Sequence, residues 1–351
     1  MYFNLNNNCH FVRGRSNGII YNLTIPEMIE LSSAESDAIV HSMSNEIRPH
    51  DYPFFHELEK MGCGFMSEKR YFIDRIRSIN KITLMRPDIY PLNFNIAFLQ
   101  LTWKCSGNEQ ECLKHFCAPC RTRKCSTDMA VEQWKGIIDR LHDSAVNGII
   151  LTGGDVTMYE GLSELSSYIR KKEIPLSIVL NQYAQNLEKI DKSIPVCIFS
   201  CGQTDVKALV TKFSAFSNMT LIHNSPIQME QKELFAKHSI LTVYAPSEMT
   251  ITKSSLQPCT VDSFFQRRYF ESCLSGKMYI NADGNVVPCF QVMEKHIGNV
   301  LRQDFSEIHQ KLISDYWMKP HRHHKCISCE RYYGCPVCSF MNPDKVCSYI
   351  P

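Results

Sequence analysis

Residues 90–255 alternate short apolar runs with amphipathic segments. The apolar runs that predict strands lie at residues 95–102, 149–152, 176–180, 196–200, 220–223 and 240–245. Between the first two runs, apolar residues from Trp134 to Leu141 recur at the 3.6-residue spacing of one helix face. Strands that alternate with helices predict an α/β fold with a parallel sheet, either open and doubly wound or curved into an incomplete barrel. Both folds bind ligands at the carboxyl ends of their strands.

The first 85 residues predict a separate small module. Apolar runs at residues 2–5, 10–12, 18–23 and 64–66 indicate strands, and residues 54–61 indicate a helix that ends at Gly62. Ser32 and Glu35 have the spacing of a capping box, which predicts that another helix starts there. Strands, helices and a short wing in so few residues predict a winged-helix-like module.

The last segment, residues 256–351, is rich in cysteine and has little apolar content of its own. Residues 277–281 and 286–287 predict a β-hairpin around Asp283-Gly284, a pair that suits a type I′ turn. Because a small core stabilises such a segment weakly, we expect metal sites to hold it together.

Cysteines carry the strongest chemical signal of the chain, which has 17 of them in 351 residues. The C-terminal segment contains Cys273, Gly284-x4-Cys289, Cys326-x2-Cys329-x5-Cys335-x2-Cys338 and Cys347, and Cys259 lies just upstream. Eight thiols predict two four-cysteine sites, the usual ligation of [4Fe–4S] clusters. A zinc ribbon would place its Cys-x2-Cys pairs farther apart than Cys329 and Cys335. A disulfide scaffold is typical of shorter, secreted chains, and residues 1–14 do not have the pattern of a signal segment.

The charge balance excludes other classes of function. The net charge is +2 and the sequence pI is about 7.8, so no nucleic-acid-binding surface is indicated. No apolar run approaches the roughly 20 residues that span a bilayer. Free thiols and iron–sulfur clusters survive best in a reducing compartment, which predicts a cytoplasmic protein.

A second group of cysteines follows the first strand of the predicted sheet. It consists of Cys105, Cys112, Cys117, Cys120 and Cys125. The next strand ends in Gly153-Gly154-Asp155, where glycines allow a ligand to approach the backbone and a carboxylate can bind an amine. Read alone, this tripeptide is also typical of a simple strand–helix turn.

Together these segments resemble a known enzyme family. The run from LQLTWKC through ILTGGD resembles the N-terminal half of a radical SAM domain, and the C-terminal cysteine array resembles the SPASM domain of radical SAM peptide maturases. LSSAESDAIV and FHELEKMGCGFMSE resemble the PqqD-like leader-peptide recognition element (RRE) of those enzymes. The resemblance implies a recognition element over residues 1–85, a partial (β/α)6 TIM-like barrel over 90–255 and a SPASM domain over 256–351.

The resemblance also implies a catalytic iron–sulfur cluster that binds S-adenosylmethionine. The family holds it with Cys-x3-Cys-x2-Cys, whereas this chain offers Cys105-x11-Cys117-x2-Cys120 or Cys112-x4-Cys117-x2-Cys120. We prefer Cys105, because it follows the strand directly. Gly153, Gly154 and Asp155 would hold the methionine part of the cofactor. Asn181 and Ser200 match positions that contact it in the family, although each also suits a turn cap.

Two further [4Fe–4S] clusters are implied by the SPASM resemblance. Cys259, Cys273, Cys289 and Cys338 would bind the first auxiliary cluster, and Cys326, Cys329, Cys335 and Cys347 would bind the second. The spacing Cys335-x2-Cys338 is one residue shorter than the family pattern.

The function implied by the family is modification of a ribosomally synthesised precursor peptide. The first module would bind the leader of that peptide, and a 5′-deoxyadenosyl radical would begin an oxidative C–C or thioether crosslink. An external donor such as flavodoxin or ferredoxin would supply electrons. The alternative is a catalytically degenerate peptide-binding scaffold whose SPASM clusters are structural. The surplus of cysteines in the 105–125 loop favours the enzyme.

Overall fold

The structure is a computed structural model, which describes residues 1–76, 94–105, 128–200, 205–223, 227–244, 251–252, 255–271, 273–318, 324–336 and 347. Its strands are β1 Tyr2–Leu5, β2 Cys9–Arg13, β3 Gly18–Asn22, β4 Glu27–Leu31, β5 Gly64–Ser67, β6 Ile96–Gln100, β7 Ile149–Thr152, β8 Leu176–Asn181, β9 Val196–Ser200, β10 Met219–His223, β11 Leu241–Tyr244, β12 Lys277–Ile280, β13 Asn285–Val287 and β14 Gly298–Asn299. Its helices are α1 Ser33–Ser42, α2 Tyr52–Lys60, α3 Val131–Asp143, α4 Leu162–Lys171, α5 Val206–Phe213, α6 Met229–Lys237, α7 Val261–Tyr269, α8 Phe305–Leu312 and α9 His324–Ile327.

The chain divides into two compact units, and neither is continuous in sequence. The N-terminal unit comprises Met1–Arg86, Thr250–Cys273 and Met318–Pro351, and the sheet unit comprises Pro87–Met249 and Leu274–Trp317. The C-terminal segment therefore contributes to both units. The domain boundaries expected from the sequence stay predictions.

The sheet unit is built on one mixed sheet. Its strand order is β11-β10-β9-β8-β7-β6-β12-β13-β14, and β6 to β11 pair in parallel. This confirms the predicted α/β class with a parallel sheet. In the described residues the order from β6 to β11 never reverses, so the doubly wound alternative is wrong. An unreversed order is the strand order of a barrel.

A C-terminal hairpin extends this sheet beyond β6. β12 pairs with β6 in parallel, with Lys277 opposite Ile96, and β13 pairs with β12 in antiparallel register. The hairpin was predicted, but its type I′ turn is wrong, since that turn needs positive φ at both central residues. From Asn281 to Asn285 only Gly284 has a positive φ, of 79°. The Asn281 side chain builds the turn instead, because its Oδ1 accepts hydrogen bonds from the N–H groups of Asp283 and Asn285.

Two helices confirm the patterns that predicted them. α3 buries the predicted face, which consists of Trp134, Ile137, Ile138 and Leu141. α1 begins after Ser32, whose side chain and that of Glu35 form the predicted capping box.

The connection from β8 to β9 differs from the expected helix. Residues 182–195 form only a short 3₁₀ turn, Leu187–Lys189. Side-chain turns bracket it: Asn181 Oδ1 accepts from the N–H of Tyr183, and Asp191 Oδ1 accepts from the N–H of Ser193. Such side-chain hydrogen bonds compete with the helical pattern.

The N-terminal unit contains two small antiparallel sheets. β1 pairs with β5, and β2, β3 and β4 form a three-stranded sheet. Helices α1 and α2 pack on the first sheet through a core that includes Phe3, Ile39 and Phe55. The winged-helix assignment stays a prediction. Across the described parts of both units, no helix is long and apolar enough to cross a membrane.

Candidate functional site

The carboxyl ends of the parallel strands carry the residues that the sequence predicted for cofactor binding. Gln100, at the end of β6, pairs with Thr152, which directly precedes Gly153-Gly154-Asp155. Asn181, at the end of β8, pairs with Phe199, next to Ser200 at the end of β9. Parallel pairing therefore brings all five predicted cofactor residues to one edge of the sheet.

Asn181 connects three of these strand ends. Its Nδ2 donates a hydrogen bond to the carbonyl oxygen of Gly154 at 2.8 Å and lies 3.6 Å from Sγ of Cys105. The side chain is buried. Cys105 follows β6, so the amide joins β6, β7 and β8 at the predicted site. Its Oδ1 also caps the turn at Tyr183, the alternative role considered from the sequence.

Gly154 is required by the neighbouring strand end. A Cβ atom at Gly154 would lie 2.2 Å from the carbonyl oxygen of Lys104, and one at Gly153 would lie 3.1 Å from that of Thr102. The N–H of Asp155 donates to the carbonyl oxygen of Lys104 at 2.6 Å. The close approach that the sequence assigned to a ligand is therefore made by the backbone before Cys105.

Asp155 is buried, and Thr157 binds its carboxylate. Oδ1 accepts from the N–H of Thr157 at 3.0 Å and from its hydroxyl at 2.6 Å. Lys212 of α5 is a site residue that the sequence did not reveal, because it belongs to no motif. Burial lowers the pKa of Lys212, while the charge of Asp155 acts in the opposite direction. Its Nζ donates to the carbonyl oxygen of Gln182 at 2.9 Å, so a cation lies beside the strand ends.

An ion pair joins Lys104 and Asp128, which stand on either side of residues 105–127 in the sequence. Lys104 Nζ lies 2.9 Å from Oδ2 of Asp128. Sequence spacing gave no sign of this pair. The predicted ligands Cys117 and Cys120 lie outside the described residues, as do Cys112 and Cys125.

Cys326, Cys329, Cys335 and Cys347 form what we call the second cysteine group. Successive turns in the N-terminal unit place the first three of them. The N–H of Cys329 donates to the carbonyl oxygen of Cys326, and the N–H of Cys335 donates to that of Tyr332. Cys347 forms an isolated parallel bridge with Ile251. Burial raises the pKa of Cys329 to about 11, and the charges of Cys326 and Cys347 add to this effect.

The assignment of these thiols to a second auxiliary cluster stays a prediction. Cys326 and Cys347 are distant in sequence, yet both act on Cys329. A [4Fe–4S] cluster takes four thiolates, each on its own iron, so its ligands need only surround a shared space. Within the described ranges, no three His, Cys, Asp or Glu side chains are grouped as a single metal ion would require.

The residues predicted for the first auxiliary cluster are distributed over both units. Cys259 and Cys273 belong to the N-terminal unit, Cys289 belongs to the sheet unit, and Cys338 lies outside the described residues. Cys259 is buried, and its thiol donates to the carbonyl oxygen of Tyr333 at 2.8 Å. Cys289 Sγ accepts from the N–H of Gln291 at 3.4 Å. Their predicted grouping stays a prediction.

The β2–β4 sheet packs directly on the loop of the second cysteine group. The hydroxyl of Tyr21 donates to the carbonyl oxygen of Glu330 at 2.7 Å, and Arg15 Nε donates to Ser328 Oγ at 3.1 Å. A Cβ atom at Gly334 would lie 2.5 Å from Sδ of Met28. The sequence did not predict this contact, since it joins residues some 300 positions apart.

A family match supports the interpretation of the cysteines. Residues 272–331 match the SPASM family, described as an iron–sulfur cluster-binding domain. This confirms the SPASM resemblance of the C-terminal array. The matched region contains Cys273, Cys289, Cys326 and Cys329. No curated protein matches the chain.

Solved structures with some likeness to this chain include proteins bound to S-adenosylmethionine or to a precursor peptide. One is Streptococcus suis SuiB bound to its precursor peptide SuiA, with 14% identity, a TM-score of 0.49, and 95% of this chain and 94% of that chain covered. SuiB bound to S-adenosylmethionine has 13% identity, a TM-score of 0.44 and the same coverage. Native anSMEcpe with bound AdoMet has 15% identity and a TM-score of 0.43, over 68% of this chain and 88% of that chain.

Proposed function

We propose that this protein is a cytoplasmic radical SAM/SPASM enzyme that modifies a ribosomally synthesised precursor peptide through an oxidative C–C or thioether crosslink. The observation that carries the proposal is the meeting of Cys105, Gly154 and Asn181 at one edge of a parallel sheet. The SPASM match over residues 272–331 supports it independently.

Each group of residues has a distinct task in this proposal. Cys105, Cys117 and Cys120 would hold the cluster that binds S-adenosylmethionine, and Asn181 would fix the Cys105 thiolate relative to Gly154. The bound cofactors supply a 5′-deoxyadenosyl radical that removes a hydrogen atom from the peptide. Gln100, Thr152, Asn181 and Ser200 are buried at these strand ends.

The crosslinking reaction releases an electron, which gives the C-terminal cysteine sites a role as electron acceptors in this proposal. Crosslinking removes two hydrogen atoms from the peptide: one leaves with 5′-deoxyadenosine, and the other leaves as a proton and an electron. We assign acceptance of that electron to the sites of the C-terminal cysteines. An external donor such as flavodoxin or ferredoxin would supply the first electron, and the N-terminal module would bind the leader.

The test is anaerobic reconstitution, with iron counting, EPR spectra with and without S-adenosylmethionine, and a deoxyadenosine assay. We expect about twelve irons for three clusters, a spectrum that the cofactor perturbs, and release of deoxyadenosine. Cys105→Ser should lose about four irons and the activity. Cys197→Ala is the matched control, because this cysteine lies within β9.

Two outcomes would change the proposal. Loss of the catalytic cluster in Cys112→Ser but not in Cys105→Ser would select the other spacing of the ligands. About eight irons, no effect of the cofactor and no deoxyadenosine would identify a scaffold with structural clusters and reject the enzyme.

A further inference from the structure

Two free thiols that are distant in sequence meet in the core of the N-terminal unit. Cys9 begins β2, and Cys63 directly precedes β5. Both side chains are fully buried and belong to the core that includes Phe3 and Phe55. The two thiols interact directly through their side chains. Neither belongs to the cysteines that the sequence predicted as cluster ligands.

The backbone of Asn6 holds the two cysteines together. Its N–H donates to the carbonyl oxygen of Cys63 at 2.9 Å, and its carbonyl oxygen accepts from the N–H of Cys9 at 3.0 Å. Asn6 Nδ2 also donates to the carbonyl oxygen of Gly62 at 2.8 Å. Main-chain hydrogen bonds therefore fix both cysteines on one residue, so the contact of their thiols is part of the fold.

The pair has one thiol that keeps its proton and one that loses it more readily. Contact with Cys63 and burial raise the pKa of Cys9, and the charge of Arg75 opposes them. Contact with Cys9 lowers the pKa of Cys63, whereas burial and the charge of Glu27 raise it. The thiolate is the nucleophilic form of cysteine, so Cys63 is the attacking thiol of the pair.

A short turn separates Cys63 from solvent. Met61 and Gly62, which precede it, are exposed, and Gly62 has a φ of 70°. Cys63 Sγ lies 4.0 Å from the carbonyl oxygen of Met61. A small oxidant reaches the thiol through a local opening of this turn, and such openings cost less free energy than global unfolding.

We propose that Cys9 and Cys63 are a redox-active pair that a peroxide converts into a reversible disulfide. The sulfur of Cys63 attacks one oxygen of hydrogen peroxide, the O–O bond breaks, and Cys63 becomes a sulfenic acid as the first water leaves. The sulfur of Cys9 then attacks that of Cys63, the S–O bond breaks, and the second water leaves with the proton of Cys9. Both electrons pass from the thiols to the peroxide.

The disulfide would connect the two small sheets of the N-terminal unit. It joins the start of β2, in the three-stranded sheet, to the start of β5, in the two-stranded sheet. Disulfides in reducing compartments are usually transient and redox-sensing, and a thiol reductant would reverse this one. The inference does not depend on the chemistry proposed for the sheet unit.

The test treats the reconstituted protein with increasing hydrogen peroxide, blocks the remaining thiols with N-ethylmaleimide and digests it with trypsin without reduction. Residues 1–13 and 61–69 are separate tryptic peptides, and each contains a single cysteine. We expect mass spectrometry to find them as one linked peptide that dithiothreitol separates. In guanidinium the linked peptide should be at least about tenfold less abundant, because the unfolded chain has to close a long loop.

Single variants identify the attacking thiol. With dimedone present, Cys9→Ala should carry the sulfenic acid adduct at Cys63, whereas Cys63→Ala should leave Cys9 as a thiol. Cys197→Ala is the matched control, because it removes a thiol from β9 and should form the linked peptide as the unmodified protein does.

Three results would overturn the proposal. They are absence of the linked peptide over the whole peroxide series, equal amounts of it in the folded and unfolded protein, and a dimedone adduct at Cys9 in Cys63→Ala. If a variant does not fold, the linked peptide of the unmodified protein still decides, since its measurement needs no substitution.

Discussion

His309 is a buried histidine that packs as an aromatic group. Its ring lies 4.5 Å from that of Phe94 and 5.2 Å from that of Trp317, both edge-on. Neither ring nitrogen has a hydrogen-bond partner in the described residues. Burial lowers its pKa to about 4, so the neutral ring is the form that the core accommodates. The side chain therefore contributes packing and not proton transfer.

Acid should destabilise the protein through this residue. Between pH 6.5 and 4 the unfolded chain binds a proton at His309 that the folded chain does not, so stability falls as the pH falls. This lowered pKa of His309 should reduce the free energy of unfolding by about 2 kcal/mol between about pH 7 and pH 5. His309→Phe should remove this part of the slope in urea denaturation at the two pH values.

His10 contributes a second, similar slope. Burial, together with Arg75 and Arg268, lowers its pKa to about 4, so the variant keeps part of the pH dependence. His142→Phe is the control, because His142 is exposed. An unchanged slope in His309→Phe would show that the pKa of His309 is the same in the folded and the unfolded protein.

β6 and β7 are held together at the site without room for a side chain. The backbone after β7 lies against the carbonyl groups of Trp103 and Lys104, and a hydrogen bond from Asp155 fixes the approach. Any widening of this contact would move the residue before Cys105. Two adjacent strand ends thus determine where the first predicted ligand lies.

Gly154→Ala should separate these strand ends. Its methyl group would overlap the carbonyl of Lys104, a backbone atom that cannot rotate away, at a cost of about 1–3 kcal/mol. We expect a lower free energy of unfolding and loss of deoxyadenosine release. Gly136→Ala is the control: a Cβ there meets no atom within 4 Å, and in α3 it should stabilise the protein by about 0.5–1 kcal/mol. A Gly154→Ala protein as stable as the unmodified one would contradict the packing argument.

Local sequence patterns predicted the helices and strands, but they did not predict how distant strands pair. The stripe from Trp134 to Leu141 and the capping box at Ser32 act within a few residues, so the sequence alone reveals them. The parallel order also explains why Gly154 and Asn181 were expected at one edge. The pairing of β12 with β6 depends on which strand edge is free after folding, and no local signal records it.

The N-terminal unit joins the first and last parts of the chain around the second cysteine group. The hydroxyl of Tyr21 and the side chain of Arg15 hold residues 328–330 from the β2–β4 sheet. Arg267 of α7 donates to the carbonyls of Tyr333 and Cys335 from another side. The predicted recognition element is therefore part of the wall of a predicted cluster site.

Tyr21→Phe should change the surroundings of the second cysteine group, although Tyr21 is not one of its cysteines. Removal of the hydroxyl leaves the buried carbonyl of Glu330 without its donor, which costs about 1–3 kcal/mol. In the reconstituted protein we expect lower stability and a shifted EPR signal of the auxiliary clusters, with the iron content unchanged. Tyr168→Phe, which loses a hydrogen bond to Asp139 in the sheet unit, should leave that signal as it is. An identical spectrum for both variants would limit Tyr21 to packing.

The pairing of β12 with β6 also governs the order in which the protein can be made. Lys277 reaches its partner Ile96 only after about 180 further residues have been translated, which takes roughly 10–40 seconds at ordinary rates of synthesis. During that interval the nascent β6 has one open edge, which is exposed to wrong partners. Completion of the sheet around the strand that leads to Cys105 is thus a late event on the ribosome, and under the proposed function insertion of the catalytic cluster would follow it.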